Sequence, residues 1–112
     1  MKIAIPVVNN KLSMHFGHCQ SFVIMDIDQE TKKLISQTEL QSPPHQPGLL
    51  PQWLADHKVN LIIAAGMGQR AQSLFQNNNI QVIVGAENKT PAEILEDYLN
   101  SKLVVSENFC DH

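Results

Sequence analysis

The sequence predicts an α/β domain built on one mixed sheet. Two short apolar segments in the second half, "VNLIIAA" and "IQVIVG", are each followed by a segment with the apolar spacing of a helix. The first half instead carries three β-type segments in succession, with a turn between the second and third. At 112 residues and 43% hydrophobic, the chain is long enough to form one domain with its own core.

The first half predicts strands one to three. The opening segment "KIAIPV" is short, apolar and β-branched, and Pro6 limits how far its ladder can run. Residues 8–19, "VNNKLSMHFGHC", are expected to form a loop. The segments "SFVIMDID" and "KKLISQTEL" then form a hairpin around the turn "DQET", so the three strands make an antiparallel meander.

The second half predicts alternating helices and strands. The segment "QSPPHQPG" excludes regular structure, and residues 49–57 then show helical spacing. Strand four, a helix after "GMG" and strand five follow. Thr90, Pro91 and Glu93 form the start signal of a last helix, with a capping box. We expect one domain over residues 1–100 and a loosely held tail over 101–112.

The predicted connections place the loops that carry reactive side chains at one edge. Strands four and five follow helical crossovers and should be parallel. If strand four lies beside strand one, the five strands have the order 3-2-1-4-5, with helices flanking the sheet. Ligands of open α/β sheets bind at the carboxyl ends of strands where the order reverses. Here that point falls between "HFGHC" and "GMGQR".

The bulk composition excludes several classes of partner. The formal net charge is −3 and the charges are scattered, so neither nucleic acid nor a membrane surface is an expected partner. No apolar run approaches the roughly 18 residues of a membrane span. We expect a cytoplasmic protein in which both cysteines are free thiols.

Four side chains form a candidate metal site: His15, His18, Cys19 and His45. Imidazole and thiolate favour copper, zinc or iron–sulfur chemistry over magnesium or calcium. The spacing matches no zinc finger, because a second pair of ligands is missing. The alternative interpretation is a polar loop whose histidines face solvent beside a partly buried cysteine.

The segment "GMGQRA" is a candidate anion site. Gly66, Met67 and Gly68 would let a ligand approach backbone N–H groups at a helix N-terminus, and Arg70 would add a positive charge. The thioether of Met67 could also serve a metal, although methionine beside a strand is typical of a core. The segment is neither a Walker loop nor a complete GxGxxG motif. The alternative is a tight strand-to-helix turn without a ligand.

The sequence does not favour an enzyme. Asp26 and Asp28 share one face of a strand, but strand one carries no acid to complete a two-metal nuclease site. Cys19 could pair with His15 or His18 as a nucleophile, yet no orienting carboxylate lies nearby in the sequence.

Four segments in order, "KIAIPV", "HFG", "LIIAAGMGQRAQSLF" and "IQVIVGA", resemble the dinitrogenase iron–molybdenum cofactor biosynthesis family over roughly residues 1–100. That family includes nitrogenase cofactor carriers and the molybdenum–copper orange protein. The resemblance implies a ribonuclease H-like three-layer fold and non-enzymatic binding of a metal–sulfur cluster. It matches His15 and Gly17 to the first motif, and Gly66, Gly68 and Arg70 to the second.

The chain departs from the family pattern after "HFG". Many members carry a basic and then a small residue there, whereas this chain has His18 and Cys19, which adds two metal donors. We therefore expect a carrier or scaffold for an anionic molybdenum-containing cluster, of iron–molybdenum or molybdenum–copper type, with a cluster donor or acceptor protein as partner. The alternative is a metal-free adaptor that docks on another protein through the same loops.

Overall fold

The fold is a mixed sheet with helices on both faces. A computed structural model describes residues 1–14, 19–43, 48–101 and 103. Within these ranges there are six strands and three helices. The strands are β1 (Lys2–Val8), β2 (Lys11–Leu12), β3 (Ser21–Asp28), β4 (Lys33–Gln41), β5 (Leu61–Ile63) and β6 (Gln81–Ile83). The helices are α1 (Leu49–Asp56), α2 (Gln69–Asn77) and α3 (Pro91–Leu99).

The main path of the sheet is β4-β3-β1-β5-β6. β1 pairs antiparallel with β3 and parallel with β5, and β6 continues the parallel half. If β2 is left out of the numbering, the strands along this path are the third, second, first, fourth and fifth strands of the chain. The number of strands differs from the prediction, because β2 forms a sixth strand off this path and pairs with β1.

The residues of β2 were predicted to be loop, and that expectation is wrong for a local reason. Asn9 and Asn10 both have positive φ, 53° and 66°, so they form a two-residue hairpin turn that joins β1 to β2. Leu12 is buried at the end of this hairpin. Its backbone N–H donates to the Lys89 carbonyl at 2.9 Å, and its own carbonyl accepts from the Asn88 side chain at 2.7 Å.

Alternating side chains of the central strands divide the core between the two faces of the sheet. Ile3 and Ile5 of β1 pack on the face covered by α3, whereas Ala4 packs on the face with α1 and α2. Leu54 of α1 and Phe75 of α2 are fully buried on that second face. The result is three layers, as predicted, with α1 and α2 on one side and α3 on the other. The ribonuclease H-like assignment itself stays a prediction.

The start of α3 confirms the predicted capping box. The Thr90 hydroxyl accepts from the Glu93 backbone N–H at 3.3 Å, and the Glu93 carboxylate accepts from the Thr90 backbone N–H at 3.2 Å. Beyond α3, Leu103 packs against the core on the same face. The rest of the predicted tail, residue 102 and residues 104–112, lies outside the described residues. No helix in the described part of the chain has the length and apolar character needed to span a membrane.

Candidate functional site

The candidate site lies at the edge where the parallel strands end. The register of β1 with β5, Ile3 beside Leu61 and Ala4 beside Ile62, brings the segment after β1 next to the segment after β5. Of the predicted site residues, His15, Gly17, His18 and His45 lie outside the described residues. Cys19, Gly66, Met67, Gly68 and Arg70 lie within them.

Cys19 carries a half-buried thiol two residues before the start of β3. Its side chain packs against the core on the α1 and α2 face, and its Sγ lies 3.3 Å from the Ser42 Oγ. The Ser42 hydroxyl also lies 3.3 Å from the Cys19 carbonyl oxygen, to which it can donate. Sequence reasoning did not identify Ser42, because the contact joins the segment before β3 to the segment after β4, 23 residues apart in the chain.

Met67 belongs to the core. It is fully buried, in the same hydrophobic cluster as Phe22, Leu54 and Phe75. The side chain of Gln72 donates to the Met67 carbonyl at 2.9 Å, which ties the β5–α2 turn to the first turns of α2. In the described structure the thioether of Met67 therefore packs in the hydrophobic core.

The β5–α2 turn is also fixed by the neighbouring strand. The Ala64 N–H donates to the Ile83 carbonyl at 2.8 Å, and the Gly85 N–H donates to the Ala65 carbonyl at 2.8 Å. Gly66 is buried directly after these bonds, whereas Gly68 is half-exposed. Backbone atoms therefore hold the turn in place, and its accessible end is Gly68 at the start of α2.

The N-terminus of α2 is not capped by a side chain. Gly68 is the N-cap residue, no side chain in the described part of the chain accepts from the first N–H groups, and the first turn contains no acid. These unpaired donors and the helix dipole favour an anion at this end. The N-terminus of α3 differs, because Thr90 and Glu93 occupy its first donors.

Gly68 leaves open space at the start of α2. A Cβ built on this residue would meet no atom of the described residues within 4 Å, and its φ of −66° is one that any residue adopts. Neither backbone strain nor crowding in the described structure therefore requires glycine here. A backbone position without a side chain beside open space is suited to close approach by a ligand.

Arg70 supplies an unneutralised positive charge in the first turn of α2. Its side chain is exposed, and no acid in the described structure lies within ion-pair distance. Lys89, in the β6–α3 segment, differs: its ammonium group lies 3.0 Å from Asp97 and 3.4 Å from Glu87. The hydrogen bond to Asp97 is the main reason why the pKa of Lys89 is raised. The charge of Lys89 is thus shared with acids, whereas that of Arg70 is available to an anionic ligand.

The other described titratable groups do not form a metal site. Within the described ranges, no three His, Cys, Asp or Glu side chains come together as candidate ligands. The ring of His57, at the end of α1, is tilted by 57° against the Trp53 ring with centroids 4.8 Å apart, and its Nδ1 lies 2.8 Å from the Trp53 carbonyl oxygen. Asp26 lies at the opposite edge of the sheet, 3.5 Å from the amino terminus.

The family model described as dinitrogenase iron-molybdenum cofactor matches residues 1–101. The protein MJ0580 of Methanocaldococcus jannaschii is 33% identical over 106 residues, which cover 92% of this chain and 89% of that protein.

Solved structures have the same fold. The crystal structure of PH0822 superposes with a TM-score of 0.87 at 26% identity, over 95% of both chains. The apo form of the orange protein from Desulfovibrio gigas has a TM-score of 0.71 at 19% identity, over 96% of this chain and 93% of that one. At 19% identity, the similarity to the orange protein shows a shared fold and nothing more. The family match extends over nearly the whole sequence, so the chain belongs to the dinitrogenase iron-molybdenum cofactor family.

Proposed function

We propose that the protein binds an anionic molybdenum-containing metal–sulfur cluster, of iron–molybdenum or molybdenum–copper type, and carries or scaffolds it in the cytoplasm without catalysis. Membership in the dinitrogenase iron-molybdenum cofactor family supports a cluster-related role. A carrier also needs a donor or acceptor protein, which we expect to meet the same edge of the sheet.

The observation that carries the proposal is the start of α2. It combines uncapped N–H groups, open space above Gly68 and the unneutralised charge of Arg70. Thiomolybdate and related clusters carry negative charge on sulfur atoms. Backbone donors and a guanidinium group can stabilise such charge without a covalent bond, as they do for phosphate.

We expect soft ligands at the same edge of the sheet as the start of α2. In the chain, Cys19 directly follows residues 15–18, and Ser42 and Pro43 directly precede residues 44–47. The bonds between Cys19 and Ser42 hold the described residues beside these two segments together at the edge. In this proposal the Cys19 thiolate binds copper or iron directly, and His15, His18 and His45 act as ligands or support them.

The absence of catalysis is part of the proposal. A nuclease site on this sheet would need acids near the ends of neighbouring strands. The carboxylate of Asp26 lies instead beside the amino terminus, and β1 contains no acid. We expect no cleavage of an RNA–DNA hybrid with magnesium or manganese. Cleavage that disappears in Asp26→Asn would contradict this part.

Isolation without air tests the proposal against the adaptor alternative. The protein would be produced with molybdate, iron and copper in the medium, and then examined by visible absorption and metal analysis. We expect a coloured protein that contains molybdenum. A colourless, metal-free protein that retains a partner protein through the same edge would instead support an adaptor.

A further inference from the structure

Ser42 makes three contacts with the segment that carries the candidate thiolate ligand. Its Oγ lies 3.3 Å from the Cys19 Sγ and 3.3 Å from the Cys19 carbonyl oxygen. Its backbone N–H donates to the Gln20 carbonyl at 3.2 Å. Both Ser42 and Cys19 are half-buried, so these bonds are partly protected from competition with water.

The sheet fixes the position of this contact. Ser21 pairs with Val7 of β1 on one side and with Gln41 of β4 on the other. Gln20 extends the first pairing, because its N–H donates to the Val7 carbonyl at 2.9 Å. Ser42 extends the second pairing through the bond to Gln20. Gln20, the residue after Cys19, is therefore bonded to the end of β1 and to the residue after β4, the two strands that flank β3.

The hydroxyl group of Ser42 can serve the thiol in both of its chemical forms. A protonated thiol can donate to the Ser42 Oγ while the hydroxyl donates to the Cys19 carbonyl oxygen. A metal-bound sulfur has lost its proton and only accepts, so the Ser42 hydroxyl becomes the donor within reach. Hydrogen bonds to ligand atoms orient them and adjust the properties of the metal.

We infer that Ser42 is a positioning residue for Cys19: it fixes the orientation of that side chain and donates a hydrogen bond to its sulfur when the sulfur binds metal. This inference rests on the proposed function, in which Cys19 is a cluster ligand. It goes further by assigning a role to a serine in the segment after β4.

Substitutions at Ser42 separate the hydroxyl group from the space that it fills. We expect Ser42→Ala to bind a preformed thiomolybdate–copper cluster about 10- to 100-fold more weakly than the parent, the usual range for a partner of a metal ligand. Ser42→Thr keeps the hydroxyl group and should bind cluster like the parent. Ser42→Val has nearly the same shape as Ser42→Thr but no hydroxyl group, and it should bind as weakly as Ser42→Ala. In Ser42→Val, absorption from the ligand sulfur to the metal should shift to lower energy, because the sulfur has lost a donor.

Ser21→Ala is the matched control. Ser21 begins β3 two residues after Cys19, is buried, and donates to the Glu39 carboxylate at 2.8 Å. Ser21→Ala also removes one serine hydroxyl group, but this hydroxyl group bonds to Glu39. We expect it to leave cluster affinity and absorption unchanged. The unfolding midpoint of each apoprotein, measured alongside, reports whether each variant is folded.

The outcomes separate this inference from the proposed function. If the parent binds cluster and Ser42→Val binds it as Ser42→Thr does, Ser42 has no positioning role, although the proposed function stands. Equal weakening by Ser21→Ala and Ser42→Val would also contradict the inference, because it would indicate general loosening of the edge. A parent that takes up no cluster would contradict both.

Discussion

The fold does not require glycine at position 68, so a substitution there tests whether a ligand requires it. The φ of Gly68, −66°, suits any residue, and a methyl group at this position would meet no described atom within 4 Å. Replacing glycine by alanine at a compatible position stabilises a protein by about 0.4–1 kcal/mol through the unfolded state. Alanine is a poorer N-cap residue than glycine by a similar amount, roughly 0.5 kcal/mol. We therefore expect Gly68→Ala to change the free energy of unfolding by less than about 0.5 kcal/mol.

Cluster binding by Gly68→Ala should fall even though the apoprotein is unaffected. The methyl group would fill the open space and keep the cluster away from the uncapped N–H groups of α2. Loss of one charge-assisted hydrogen bond is worth about 1.5–3 kcal/mol. This corresponds to a rise in dissociation constant of roughly 10- to 150-fold. The assay combines urea unfolding of the apoprotein with a visible-absorption titration using preformed thiomolybdate–copper cluster.

Gly48→Ala is the control for the stability measurement. Gly48 also has open space around a built Cβ, but its φ is +78°. Alanine in this left-handed region costs about 1–2 kcal/mol, so this variant should be visibly less stable. The reasoning about Gly68 is refuted if Gly68→Ala binds cluster with parental affinity, or if it loses as much stability as Gly48→Ala.

The remaining predictions concern charge, the missed hairpin and the cap of α3. Arg70→Gln should weaken cluster binding at low salt more than Lys33→Gln, which changes an exposed residue in the edge strand β4, and the difference should shrink in titrations at high salt. Asn10→Ala should lower the free energy of unfolding by about 1–2 kcal/mol and Asn10→Gly should not, because residue 10 has a φ of 66°. Thr90→Ala should cost about 1 kcal/mol in the same urea assay. Hydrogen bonds from the Thr90 backbone and hydroxyl lower the pKa of Glu93. The stability that the parent gains over Glu93→Gln should therefore be present at neutral pH and disappear as the pH falls through that lowered pKa. Equal stabilities of the parent and Glu93→Gln at neutral pH would contradict this last prediction.

The sequence was sufficient for the elements whose signals are local and strong. The capping box of Thr90 and Glu93 is formed, and α1 begins at the predicted Leu49. β2 was missed because two residues are too few to show alternation. The signal was present in the dipeptide Asn9–Asn10, since asparagine tolerates the positive φ of a tight hairpin turn.

The strand pairs at the open end of the β3–β4 hairpin could not be predicted from its turn alone. Near the turn, Asp28 pairs with Lys33, but a β-bulge after Asp26 shifts the register by one residue. Counting outward from the turn would therefore pair Ser21 with Leu40 rather than with Gln41, one position off along β4. The buried state of Met67 likewise depends on packing between β5, α1 and α2, which the sequence spacing does not specify.

Titration of the apoprotein with preformed thiomolybdate–copper cluster, followed by visible absorption, tests the central claim most directly. The sheet and helices form the core without the site, so the apoprotein should already be folded before cluster is added. We predict saturable binding at the edge that contains Cys19 and Gly68, and markedly weaker binding by Cys19→Ala with an unchanged unfolding midpoint. Absorbance that rises in proportion to added cluster without saturation, identically for the parent and Cys19→Ala, would contradict the account.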